Sequence, residues 1–153
     1  MNDKLKGWFV ELPPIEAGGF INRPPLIRPT DSTYKKFILY EDVSYDVGYP
    51  NSGDRITAEA GFITDFASIP RLFWSFYPKM GIHSGPAIIH DLLYINQSRT
   101  RAESDAIFLE ALGVMKVPYL RRHLFYAAVR VGGWIYWNKR KKKLAKDEHQ
   151  IQS

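Results

Sequence analysis

The sequence predicts an α+β fold: a small antiparallel N-terminal sheet with a long Pro/Gly-rich loop, packed against three C-terminal helices. Three observations predict it. Residues 1–80 are rich in Pro, Gly and aromatic residues and hold short alternating segments. Residues 81–145 instead repeat apolar residues at helical spacing. A chain of 153 residues, 45% hydrophobic and 24% charged, fits one globular domain. That domain is expected over residues 1–145, with 146–153 as a flexible C-terminal tail.

Residues 7–12 (GWFVEL) read as a strand. Residues 13–29, with PPIEAGG and NRPPLIRP, read as loop because proline cannot donate to a ladder. Segments 35–40 and 43–48 flank Glu41–Asp42 and are predicted to pair as a hairpin. PNSGD at 50–54 has the turn chemistry for a chain reversal. Ile56, Ala58 and Ala60 then alternate as a half-buried strand.

The first helix is predicted over 85–95, with Pro86 near its start, where a missing N–H does no harm. Thr100 and Glu103 form a T-x-x-E capping box that starts a second helix running to about Met115. A third starts at Pro118 and runs to about Lys142, some 25 residues or roughly 38 Å. Leu120, Leu124, Ala127, Ala128, Val131 and Ile135 share one stripe, read as its core face. Phe125, Tyr126, Trp134, Tyr136 and Trp137 fall mostly outside that stripe, either to pack on the sheet or to form an aromatic surface for a partner. Gly132–Gly133 in mid-helix requires a very close neighbour or a bend.

There is no cysteine, which excludes disulfides, thiolate metal sites and a cysteine nucleophile. The N-terminal stretch MNDKLKGWFVELPP lacks a signal-peptide apolar core, and no run approaches the roughly 18 apolar residues of a membrane span. The net charge of +5 equals the five cations of KRKKK, from Lys139 to Lys143, so the remainder is neutral. That run reads as a helix end meeting the negative dipole pole, or as a contact to nucleic acid or an anionic membrane.

Polar groups stand where apolar ones would be easier. GFITDFASIPRLF (61–73) carries Asp65, Ser68 and Arg71. IIHDLLY puts His90, Asp91 and Tyr94 on a narrow face of a helix otherwise covered by Ile and Leu. Asp105 sits within an arc of Ala102, Phe108, Leu109, Leu112 and Met115, with Glu103 and Glu110 facing outward. A buried carboxylate needs a partner, and His90, Arg71, Arg99 and Arg101 are the candidates. Read as a site, His90, Asp91 and Asp65 are catalytic, and Ser68, Arg71 and Tyr94 support them. His90, Asp91 and Asp105 are the ligand types that hold Zn²⁺, Mn²⁺ or Mg²⁺ and activate a water. Without a metal, His90 oriented by a carboxylate is a general acid/base. Ser68 as nucleophile lacks the G-x-S-x-G elbow. Read as structure, Asp65 caps the FASIP turn, His90–Asp91 is a solvated face, and Asp105 pairs with an arginine.

GFITDFASIPRLFW (61–74), AIIHDLLY (87–94) and RAESDAIFLEAL (101–112) resemble an uncharacterised bacterial and phage family, domain of unknown function 1353. Its pattern is GF-x-TDFAS-IPR, then HD-x-LY, then R-x-x-AD-x-x-F; here Ser104 stands where the family usually shows Ala. The resemblance covers about residues 55–137. It implies a phage or prophage setting near structural or lysis genes, hence the host bacterial cytoplasm or the virion, and it brings no activity with it. Two expectations stand open: a metal-dependent hydrolase built on the His/Asp site, or a non-enzymatic virion or assembly component. In the second, the polar cluster is structural and the aromatic third helix meets other phage proteins.

Overall fold

The computed structural model describes residues 19–20, 27–33, 35–66 and 84–151. The strand expected at 7–12 lies outside them, as do most of the Pro/Gly-rich segment, Ser68 and Arg71. Six short strands precede three helices: β1 (Gly19–Phe20), β2 (Ile27–Pro29), β3 (Phe37–Leu39), β4 (Val43–Asp46), β5 (Arg55–Ala58), β6 (Ile63–Thr64), α1 (Ser84–Asn96), α2 (Arg101–Val114) and α3 (Tyr119–Ile151). The strands form two antiparallel three-stranded sheets, ordered β1–β4–β5 and β2–β3–β6.

Within the first sheet β4 is central and buried along its whole length, while β5 alternates, with Ile56 and Ala58 inward and Arg55 and Thr57 outward. The β4–β5 hairpin turns at 50–54 as expected, with Asn51 and Gly53 in the left-handed region. Segments 35–40 and 43–48, by contrast, do not pair. β3 joins β2 and β6, and β4 joins β1 and β5, so the chain passes from one sheet to the other between Tyr40 and Asp42. The Asp42 carboxylate accepts from the Ala60 amide at 2.8 Å, holding that passage. Part of the segment read as loop is also strand: Pro29 opposes Phe37 in β2, where an edge position tolerates the missing donor.

α1 is buried on nearly every side and packs against α2, α3, β4, β5 and β6. Its core residues Ala87, Ile88, Ile89 and Leu93 meet Phe37, Leu39, Val43, Tyr45 and Phe66 from the strands, Ile107, Phe108, Ala111 and Leu112 from α2, and Phe125 and Val129 from α3. Each large apolar side chain buried there contributes about 1.5–3 kcal/mol relative to exposure. α2 begins with the predicted capping box: the Thr100 hydroxyl accepts from the Glu103 amide, and the Glu103 carboxylate accepts from the Thr100 amide at 2.8 Å. It ends through Lys116 at φ 56°, where the Val117 amide reaches the Leu112 carbonyl at 3.0 Å. α1 ends through Gln97 at φ 50°, and Arg140 of α3 donates to the free Ile95 carbonyl at 2.7 Å.

α3 has 33 residues and spans about 50 Å, continuing past Lys142 through residues 146–151, where a flexible tail is expected from sequence. Its faces are the reverse of the sequence reading. The stripe read as core is exposed: Leu120 is 82% accessible, Val131 75%, Leu124 53% and Ile135 50%. The buried face carries Phe125, Val129 and Gly133 instead. Both faces are apolar, so periodicity alone does not say which one the domain covers. Among the described residues no helix is long and apolar enough to cross a membrane.

Candidate functional site

Three helices converge on Asp105. A carboxylate in an apolar arc must collect donors, and here α1, α2 and α3 all supply them. Oδ1 lies 2.9 Å from His90 Nε2 and accepts from the Tyr94 hydroxyl at 2.6 Å. Oδ2 accepts from Arg130 Nη1 at 2.8 Å and, more weakly, from Arg101 Nη1 at 3.5 Å. Arg101 is anchored in turn on the Arg130 carbonyl at 3.0 Å. His90, Tyr94 and Asp105 are all fully buried.

Burial alone would raise the Asp105 pKa, but hydrogen bonds from His90, Tyr94 and Arg130 outweigh it, and the carboxyl is held below the usual range. The same bond holds the Arg130 guanidinium more firmly protonated. Burial and then the bond to Asp105 push the Tyr94 phenol upward. An ionised Asp105 can only accept, so His90 Nε2 carries a proton and donates it to Oδ1. The His90 Nδ1 is buried and has no hydrogen-bond partner, while the ring packs on Tyr94 at 4.2 Å and Phe108 at 4.8 Å.

Asp91 belongs to a second polar group. It is 2% exposed and accepts a short hydrogen bond from the Thr64 hydroxyl, which itself accepts from the Phe66 amide at 3.2 Å. The start of the 61–73 motif therefore meets α1 through Thr64. Phe66, at φ 54°, packs its buried ring on Phe37 at 5.6 Å. Asp65 is half-buried. Burial first, then the charges of Asp91 and Asp65, push the Tyr136 phenol up to about 12. Tyr94 links the two groups: its ring lies 6.3 Å from Tyr136 and edge-on to Trp137 at 5.1 Å. It also fills the space beside Gly133, where a Cβ would stand 2.5 Å from the Tyr94 hydroxyl. This close neighbour is what the mid-helix glycine requires.

His90, Tyr94 and Asp105 are thus brought together, and Asp91 and Asp65 lie toward Thr64 and Tyr136. The face expected to be solvated is buried. Of the proposed arginine partners, Arg101 takes part and Arg99 pairs with Asp54 instead. Arg130, the guanidinium closest to Asp105, is not among those candidates. Glu110 is not outward-facing solvent charge: it accepts from the buried Tyr45 hydroxyl at 2.6 Å and the Gly48 amide at 2.8 Å, joining α2 to the β4–β5 turn. Among the described residues no group of three or more His, Asp or Glu is placed to hold a metal ion. A cavity of about 430 Å³ lies between β5, the end of α1 and the start of α2, lined by Arg55, Thr57, Leu92, Asn96, Ser98 and Arg99 among others. His90, Asp91 and Asp105 do not line it. In the basic run, Arg140 turns in to Ile95, while Lys139, Lys141, Lys142 and Lys143 are exposed.

Chemically, the Asp105–His90 pair can orient an imidazole and stabilise its charge. Every polar side-chain atom of that pair except Nδ1 is already engaged in joining helices. A family model described as "Protein of unknown function (DUF1353)" matches residues 37–129, which takes in β3 to β6, α1, α2 and the first turns of α3. No curated protein and no solved structure matches the chain.

Proposed function

The chain belongs to the DUF1353 family of proteins of unknown function, and from that premise we propose that it is a non-enzymatic interaction protein that acts in building a phage particle. The observation that carries this reading is the outer face of α3, where Leu120, Leu124, Val131, Trp134 and Ile135 are each at least half exposed on one side of a rigid helix. Their exposed area is on the order of 600 Å², the upper end of the largest patch on a typical monomer, where a contiguous apolar patch marks an interaction site. The buried polar network supports the same reading. Asp105 has four donors on two oxygens, and their effect is to fix α3 against α1 and α2. The phage setting rests on the sequence resemblance.

The test is complementation of a phage from which the gene is removed. Leu124→Glu with Val131→Glu, both at exposed positions, leaves the fold and the His90–Asp105 pair intact and should fail to restore particle yield. Full restoration by that variant refutes the reading.

The unpartnered Nδ1 of His90 favours a second reading, a hydrolytic site. In it, Nδ1 takes the proton of a water, or meets Zn²⁺, Mn²⁺ or Mg²⁺, with Asp105 orienting the ring through Nε2. Elemental analysis of the purified protein, and calorimetric titration with each cation for the native chain and His90→Gln, test the metal version. Identical titrations for the two proteins remove it.

A further inference from the structure

The exposed side of α3 has a regular spacing. Leu120, Leu124, Ala127, Val131, Trp134 and Asn138 follow one another at alternating steps of four and three residues, the period of a two-helix seam. The opposite side, through Phe125, Val129 and Gly133, is committed to the domain. We infer that this seam takes a second copy of the same chain, in antiparallel orientation, with the two-fold axis between Ala127 and Ala128. The inference rests on the reading of α3 as an interaction surface and names the partner.

Three observations select this occupant. The first is self-complementarity. Reversing the helix about the midpoint of Ala127 and Ala128 brings Leu120 opposite the second copy's Ile135, and Leu124 opposite its Val131, while the two small residues meet at the axis and let the backbones approach. The same reversal sets the exposed Arg121 against the face of the half-exposed Trp134, a cation–π pairing. The second is area. Two such faces bury about 1,200 Å² in total, the lower bound for a specific interface.

The third is charge. Lys139, Lys141, Lys142 and Lys143 are exposed at one end of the seam. A parallel pair would hold the two basic runs about 10 Å apart, close to the Debye length of about 8 Å at physiological salt. The antiparallel pair separates them by about 40 Å, at 1.5 Å rise per residue from the axis. Like-charge repulsion therefore selects the orientation.

The chain has no cysteine, so single introduced thiols report on geometry without background. Sedimentation at tens of micromolar is expected to give twice the chain mass of 17.7 kDa. Leu124→Glu with Val131→Glu is expected to return it to one chain mass with an unchanged circular dichroism spectrum. Under mild oxidation Ala127→Cys is expected to cross-link across the axis. Leu120→Cys is expected not to, since its two copies would stand about 22 Å apart, against the roughly 7 Å a disulfide spans. Cross-linking of Leu120→Cys would mean a parallel pair and overturn the inference. So would a monomer at 100 μM with Ala127→Cys uncross-linked, including the case where the chain covers its own seam. If that monomer result comes with failed complementation by the glutamate variant, the surface is real and another protein occupies it. If a dimer forms while complementation succeeds, the pairing stands and the assembly role falls.

Discussion

Gly133→Ala tests the packing of α3 against α1 directly. On helix propensity alone the change should stabilise, because alanine is favoured over glycine in a helix interior by about 1 kcal/mol. The structure predicts the opposite. A Cβ at position 133 would stand 2.5 Å from the Tyr94 hydroxyl and 3.1 and 3.2 Å from two of its ring carbons. Tyr94 cannot give way freely: it is fully buried, bonded to Asp105 at 2.6 Å, and packed against His90 and Trp137. Overpacking of this kind costs about 1–3 kcal/mol. Loosening a hydrogen bond to a charged acceptor adds about 1.5–3 kcal/mol. Less the propensity gain, the net loss is about 1.5–5 kcal/mol, or roughly 3–20 °C in Tm for a chain of this size. Thermal and urea unfolding of Gly133→Ala, Tyr94→Phe and the double variant form a cycle. In the Tyr94→Phe background the closest obstacle is gone, so alanine should cost at least 1 kcal/mol less there, on the order of a typical coupling between contacting residues. Stabilisation by Gly133→Ala, or an equal loss in both backgrounds, would refute the close-contact argument.

Asp105→Asn removes the one charge that joins three helices and should destabilise by about 3 kcal/mol, the partial exposure of Arg130 and Arg101 trimming the loss by screening; chemical denaturation reads it. The Asp105 carboxyl is held below its ordinary pKa, so its contribution is complete above about pH 4 and lost as pH falls through the folded value, giving a Tm that drops in acid and drops less in Asp105→Asn. The Tyr94 and Tyr136 phenols are raised, so what they contribute is complete below about pH 10 and is lost as pH climbs from there, for Tyr136 through about 12; ultraviolet titration should show late-ionising tyrosines, and one uniform transition near 10 would contradict the burial. Glu110→Ala removes the carboxylate that accepts from the Tyr45 hydroxyl and the Gly48 amide and should cost about 1–3 kcal/mol in the same denaturation assay.

What the sequence announces clearly here is what local chemistry decides. The Thr100–Glu103 capping box places the start of α2 because both hydrogen bonds lie within one turn. Gly132–Gly133 signals a close approach because nothing else recommends two glycines in mid-helix. The carboxylate at Asp105 announces partners, and His90 and Arg101 were among those named. The failures come where two answers satisfy the same local rule. α3 is apolar on two sides, and only the packing of Phe125 and Val129 shows which side is inward. β3 and β4 are close enough in sequence to pair, yet each finds its partners elsewhere, since strand pairing depends on the whole sheet. Glu110 reads as an outward charge, while its role follows from a partner 65 residues away, and Arg130 reaches Asp105 across 25 residues.

The link from Glu110 to Tyr45 and Gly48 also bears on how the molecule opens. It ties the middle of α2 to the β4–β5 hairpin, and α1 is wedged against both sheets. Neither layer can breathe without disturbing the other. Amide protons of β4, α1 and α2 should therefore exchange with deuterium as one slow class, through global unfolding.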